Sequence, residues 1–256
     1  MRESRNKRNR AILTAIIVVA CSVMGVSVQG VPGMAGDAGS AAVAVTDYTW
    51  DETAAPEYVL RVGEADLPEE LTSESAEVGM TYGGLDAYGR ATWATLVADG
   101  PWYQRKAEQG RDKTPLPDPA GWPADNPEVP IVTPDGNVYR GYFWNRSHLV
   151  ADALGGEPVV ENLAIGTRMQ NVGANDGQGG MLYVETLARD WLAAHPSTDA
   201  RLVYRAEAIY QGAEPIPRAV RVDVRSSDGA LDGAWIVYNA AKDYDIDYAT
   251  GAVLPQ

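Results

Sequence analysis

Hydrophobic and polar positions change rhythm several times along the chain, and each rhythm predicts an element. Val220, Val222 and Val224 alternate with Arg221, Asp223 and Arg225, the two-residue period of a strand covered on one face. Residues 202–210 (LVYRAEAIY), 235–238 and 58–62 read as further strands. Residues 137–144 (NVYRGYFW) are aromatic and β-branched and follow a Pro-Asp-Gly turn, so one strand is predicted there. Residues 91–97 carry no charge and suit a buried strand. Helical spacing is clearest between Met181 and His195, where Leu182, Leu187, Trp191 and Leu192 recur and Pro196 closes the run. Residues 72–79 are acidic and are expected to open with a short helix, whereas residues 110–135, full of Pro, Gly and Asp, read as a long surface excursion. Strands outnumber helices, which predicts an α+β body with a mainly antiparallel central sheet.

The first thirty residues follow another pattern. Arg2, Arg5, Lys7, Arg8 and Arg10 form a basic start, and the uncharged, mostly apolar residues 11–28 follow. This is the plan of an export signal, and its apolar run is also just long enough, at about 18 residues, for a retained membrane helix. Cys21 is the only cysteine, so no intrachain disulfide can form. Residues 18–21 (VVAC) resemble a lipobox, although the sequence after Cys21 stays apolar. Cleaved signal, lipid anchor and retained helix all remain open, and each places the body outside the cell or on its surface. Residues 31–54, rich in Ala, Gly and Asp, read as a linker, and residues 55–256 as the folded domain.

Charge argues against one class of partner. The chain carries −14 overall, and with a leader of +4 the remainder carries −18. Binding to nucleic-acid phosphates needs local Lys and Arg, so a polyanion could be held only on a confined basic stripe.

Two histidines are available for chemistry near neutral pH. His195 ends the amphipathic helix before a proline and reads as a helix terminator. His148 lies in Asn145-Arg146-Ser147-His148, just past the aromatic strand. The surrounding segments NRSHLVADALGG (145–156), ENLAIGTRMQN (161–171) and GMLYVE (180–185) resemble the DNA/RNA non-specific endonucleases, in particular their streptococcal-type branch within the ββα-metal (His-Me finger) nucleases. The resemblance extends outward through LPEELTSES (67–75), Tyr82, LDAYGRA (85–91), Gly121-Trp122 and IDYATG (246–251). Asn145 stands where many relatives carry Asp, and Ser147 where many carry Gly.

The resemblance implies a ββα-metal nuclease core with long loops, hydrolysing DNA, with RNA as the alternative polymer, without sequence preference. It implies His148 as the general base, Asn171 as the ligand of one Mg2+ or Mn2+ ion, and Glu185 as support for that site. Arg168 and Arg146 would contact phosphate or buttress the centre, and Arg111 and Lys113 would be upstream phosphate contacts. The chemistry suits these residue types. A neutral imidazole can take a proton from water, and a hard divalent cation neutralises phosphoryl charge from a few oxygen ligands. Asp86 and Arg90 are expected to maintain the fold, and Asn162 to pin backbone. The alternative function is a surface nucleic-acid-binding or DNA-uptake component with weak or lost catalysis.

Overall fold

The computed structural model describes residues 48–197 and 199–256. The leader, Cys21 and most of the expected linker lie outside the described residues. Among the described residues no helix is long and apolar enough to cross a membrane. The chain runs through β1 (Val59–Gly63), α1 (Glu69–Thr72), β2 (Gly79–Tyr82), β3 (Trp93–Asp99), α2 (Gly100–Gln109), β4 (Glu128–Val132), β5 (Val138–Tyr142), β6 (Trp144–His148) and β7 (Leu163–Thr167). It continues through α3 (Arg168–Val172), α4 (Gly180–Ala194), β8 (Arg201–Ile209), β9 (Ala219–Ser226), β10 (Asp232–Tyr238), β11 (Tyr244–Ile246) and β12 (Val253–Pro255). Short 3-10 turns occupy Asp152–Leu154 and Val160–Asn162.

Six strands form one sheet in the order β1-β10-β9-β8-β3-β2, antiparallel throughout. The α+β reading and its antiparallel sheet therefore hold. The alternation in β9 explains its place: Val220, Val222 and Val224 are buried against the main core. Arg221 and Arg225 on the other face are held by Asp223 at 2.7 Å and Asp232 at 2.9 Å. Across the core, α4 buries Met181, Val184, Ala188, Trp191 and Leu192, spaced by three and four residues, in the same cluster as Leu96, Leu202 and Tyr204. Each fully buried large apolar side chain contributes about 1.5–3 kcal/mol, so this stripe fixes the orientation of the helix.

Several local expectations needed correction. Residues 137–144 are not one strand. Phe143, fully buried, receives no ladder partner; its N–H donates to Pro127 O and its carbonyl accepts from Arg168 N–H, both at 2.9 Å. The chain thereby changes partner, from β4 beside β5 to β7 beside β6. The excursion at 110–135 contains β4, whose Ile131 is fully buried. The short helix ends at residue 72 instead of starting there: α1 covers Glu69–Thr72, with Pro68 at its N-cap. Packed chain also starts before residue 55: Trp50 stacks on Tyr58 with ring centroids 4.4 Å apart.

The ribbon of β6 and β7 stands apart from the six-stranded sheet, and buried polar side chains join the two. Asn239, fully buried just beyond β10, accepts the Thr167 N–H at 2.7 Å. Its Nδ2 donates to Ile165 O at 2.9 Å and Pro217 O at 2.8 Å. Thr167 Oγ1 donates to Ala240 O at 2.8 Å and accepts the Gln170 N–H at 2.9 Å, which caps α3. Asn239→Ala would strand three buried backbone groups, each worth about 1–3 kcal/mol when unpaired. Urea unfolding should therefore show a loss of about 3 kcal/mol or more; a loss below about 1 kcal/mol would mean that the amide does not hold the ribbon.

Candidate active site

His148 is the last residue of β6, paired with Leu163 of β7. The chain after it is held by Asn162, fully buried, whose Oδ1 accepts the Val150 N–H at 3.0 Å. Asn162 Nδ2 donates to Val150 O at 3.1 Å and Glu157 O at 3.0 Å. Gly156 packs so closely on Val150 that a Cβ would lie 1.8 Å from the Val150 carbonyl oxygen, so no larger residue fits. The next wall comes from α2, which the sequence reading missed. Asp99 accepts the Trp102 N–H at 2.8 Å as its N-cap, and Gly110 ends it at φ 67°. The Trp102 indole N–H donates to Leu154 O at 2.9 Å and fastens α2 to the turn after His148.

These elements enclose a cavity of about 760 Å³. His148, Arg111, Lys113, Lys106, Arg189, Asp112 and Asp152 all line it. The His148 imidazole is held below its ordinary value of 6.5 by burial, with the Asp152 carboxylate opposing and the Arg111 guanidinium adding to the effect. It is therefore neutral at neutral pH and has an acceptor nitrogen.

Asn171, on α3, lies behind the same strand. The Ser147 hydroxyl donates to Asn171 Oδ1 at 3.2 Å, and Asn171 Nδ2 donates to Asn145 Oδ1 at 3.4 Å. Three neutral oxygens are thus gathered on the residues that precede His148 and on α3. Glu185 lies on α4, the helix packed on α3, and is buried with 8% of its surface exposed. Its carboxyl makes no hydrogen bond among the described residues. Burial pushes its pKa up to about 8, against the lowering influence of Arg189 one turn later. The Tyr204 hydroxyl near it is buried without a partner among the described residues.

Of the residues singled out in the sequence, His148, Arg111 and Lys113 meet in the cavity. Arg146, Arg168, Asn171 and Glu185 do not line it. Arg146 pairs with Asp118, its Nε donating at 2.7 Å, and lies 4.3 Å over the Trp122 ring. Arg168 is half-buried 4.8 Å over Tyr139, its Nε without a partner. His195 ends α4 as expected: its Nδ1 lies 2.7 Å from Trp191 O and its ring stacks on Trp191. Arg90 likewise serves the fold, donating to Asp86 Oδ2 at 2.7 Å and to the carbonyls of Gly212 and Glu214 at 2.9 and 2.6 Å. Arg189 was missed, although its place four residues after Glu185 puts both on one helix face.

Residues 75–251 match the model of the DNA/RNA non-specific endonuclease family. A deoxyribonuclease of Streptococcus dysgalactiae subsp. equisimilis is 32% identical over 209 residues, covering 69% of this chain. The chain spans 61% of that relative's length. The structure of the Sda1 nuclease, with a bound zinc ion, is similar with a TM-score of 0.71 at 31% identity, covering 81% of this chain and all of that one. NucA from Streptococcus agalactiae, with a magnesium ion bound, shares the fold with a TM-score of 0.58 at 21% identity, covering 75% of this chain and 85% of its own.

Glu185 carries a testable cost. A carboxyl whose pKa rises from 4.5 to about 8 on folding is protonated in the folded state over a range where the unfolded chain is ionised. Stability is thus lost as pH rises through that window. In chelator at pH 8 and above, Glu185→Gln should unfold at higher urea than the parent, by on the order of 2–4 kcal/mol. The gain should shrink as pH falls toward 4.5. Equal stability at both ends of the window would contradict the burial of an ionisable group there.

Proposed function

Because the chain belongs to the DNA/RNA non-specific endonuclease family, we propose that it is an exported endonuclease that hydrolyses phosphodiester bonds of DNA, with RNA as the alternative polymer, without sequence preference. The observation that carries the reading is a neutral, half-buried His148 in a cavity lined by Lys106, Arg111, Lys113 and Arg189 on a chain of net charge −14. Cations gathered in one concave place on an acidic molecule suit a phosphate backbone, which needs charge and no base-specific contact. The basic and apolar leader supports export to the extracellular space or the cell surface, by cleavage or by anchoring.

The donor set fits one hard divalent cation. Among the described residues no group of three His, Cys, Asp or Glu side chains could hold a metal, so a soft, fully protein-ligated zinc site has no ligands here. The Asn171 amide oxygen would bind the ion directly, and the Glu185 carboxyl would support its water shell. When bound, Mg2+ or Mn2+ neutralises charge on the phosphoryl group and on the leaving oxygen. The zinc ion of the Sda1 structure is compatible with an oxygen site that accepts several divalent ions.

The protein's own residues supply the rest. Arg111, Lys113 and Arg189 hold the phosphates over the cavity. His148 accepts the proton of the attacking water on its free imidazole nitrogen. Ser147 and Asn145 fix the Asn171 amide through the two bonds already described. Arg168 braces α3 against Tyr139, and Arg146 braces the 118–122 segment from outside the cavity.

Purified protein should convert supercoiled and linear DNA of unrelated sequence to short fragments in Mg2+ or Mn2+ and stop in excess EDTA. Asn171→Ala should lower activity at least about 10²-fold, the scale on which mispositioned reacting groups lower rate, and should raise the Mg2+ concentration needed for half-activation. Undiminished cutting in EDTA, or a fixed ladder of sequence-defined fragments, would refute the reading.

A further inference from the structure

Two carboxylates, Asp112 and Asp152, stand among the cations of the His148 cavity. Either one repels a phosphodiester, so their presence in this wall calls for a reason. Asp112 is turned into its own loop, where its Oδ1 accepts the Thr114 N–H at 2.8 Å. Asp152 reaches outward. It opens the 3-10 turn four residues after His148, and both of its oxygens, each at 3.3 Å, accept the backbone N–H of Asp112. That bond falls between Arg111 and Lys113, on the segment that leaves α2 at Gly110. Neither Arg111 nor Lys113 makes a hydrogen bond or ion pair among the described residues. The Asp112 amide is thus the point at which the segment with both cations is fastened to the chain that follows His148.

We propose that Asp152 is a positioning residue of the nuclease site: it ties the Arg111–Lys113 segment to the His148 cavity and sets a negative charge toward the imidazolium formed when His148 takes a proton from water. The inference rests on His148 being the general base. The other charged groups around the cavity are Lys106 on α2, Arg111, Asp112 and Lys113 on the tied segment, and Arg189 on α4. Asp152 is the carboxylate whose charge opposes the effect of burial on the imidazole. Asn145, with no charge and already bonded to Asn171, cannot serve in its place.

Two substitutions separate the roles. Asp152→Asn keeps an acceptor oxygen for the Asp112 amide and removes the charge, whereas Asp152→Ala removes both. In metal-free protein, NMR hydrogen exchange should show the Asp112 amide protected in the parent and in Asp152→Asn, and unprotected in Asp152→Ala. The His148 titration midpoint should fall in both variants. With DNA and Mg2+, KM should rise roughly tenfold in Asp152→Ala, the factor corresponding to about 1.4 kcal/mol, and should not rise in Asp152→Asn. In both variants the acid limb of kcat should move to lower pH and its plateau should fall, because a less basic imidazole accepts the proton less readily. An Asp112 amide equally protected in Asp152→Ala, or a His148 midpoint unmoved in Asp152→Asn, would overturn the proposal. A parent protein with no action on DNA would refute the nuclease reading itself, and the exchange and titration results would still decide whether Asp152 makes the tie.

Discussion

The whole arrangement depends on how a two-stranded ribbon is held against a sheet to which it is not hydrogen-bonded as a strand. β6 and β7 carry the segment that ends in His148 and feed α3, yet their ladder is their own. Asn239 makes the join from inside the core, with two hydrogen bonds to the ribbon, at Thr167 and Ile165, and a third to Pro217 O ahead of β9. Asn162 does the same for the chain beyond His148. Buried amides suit this task because one side chain both donates and accepts, and because leaving backbone groups unpaired in the core is expensive. The position of the imidazole is thus set by polar groups that never meet the solvent.

Electrostatics follow from the same economy of pairing. The arginines on and around the large sheet are largely engaged: Arg90 with Asp86, Arg218 with Glu214, Arg221 with Asp223 and Arg225 with Asp232. Arg146 is engaged by Asp118. Arg111, Lys113 and Arg189 have no such partner among the described residues and line one cavity. An acidic molecule can therefore present a confined positive field, since clefts concentrate the potential of the charges that line them. The same confinement explains how a chain with a strongly negative balance is compatible with a polyanionic substrate.

Much of this was legible in the sequence where a single period governs a stretch. The strands β8, β9 and β10 and the helix α4 follow directly from alternation and from three-and-four spacing. His195 was separable from His148 because a histidine before proline at a helix end has an ordinary structural role. Legibility failed where tertiary contacts decide. An aromatic run gives no sign that one ladder will end at Tyr142 and another begin at Trp144. Asp99, Pro101 and Gly110 are start and stop signals for α2, but its mean hydropathy is low and no apolar stripe announces it. Arg189 required the helix to be drawn first, so that its position one turn beyond Glu185 could be seen. The engagement of Arg146 by Asp118 spans 28 positions and has no local signature.

The central claim is that His148 takes a proton from water, and replacing it by glycine tests this most directly. The imidazole-sized gap left at the end of β6 lies beside an open cavity. His148→Gly should fold as the parent does and lose about 10²–10⁴-fold in nuclease activity, the usual weight of general-base assistance. Added imidazole should restore part of that activity in proportion to its neutral form, so rescue should rise with pH around the pKa of imidazole. His195→Gly should keep its activity and need no rescue. A folded His148→Gly protein with near-normal turnover would contradict the account.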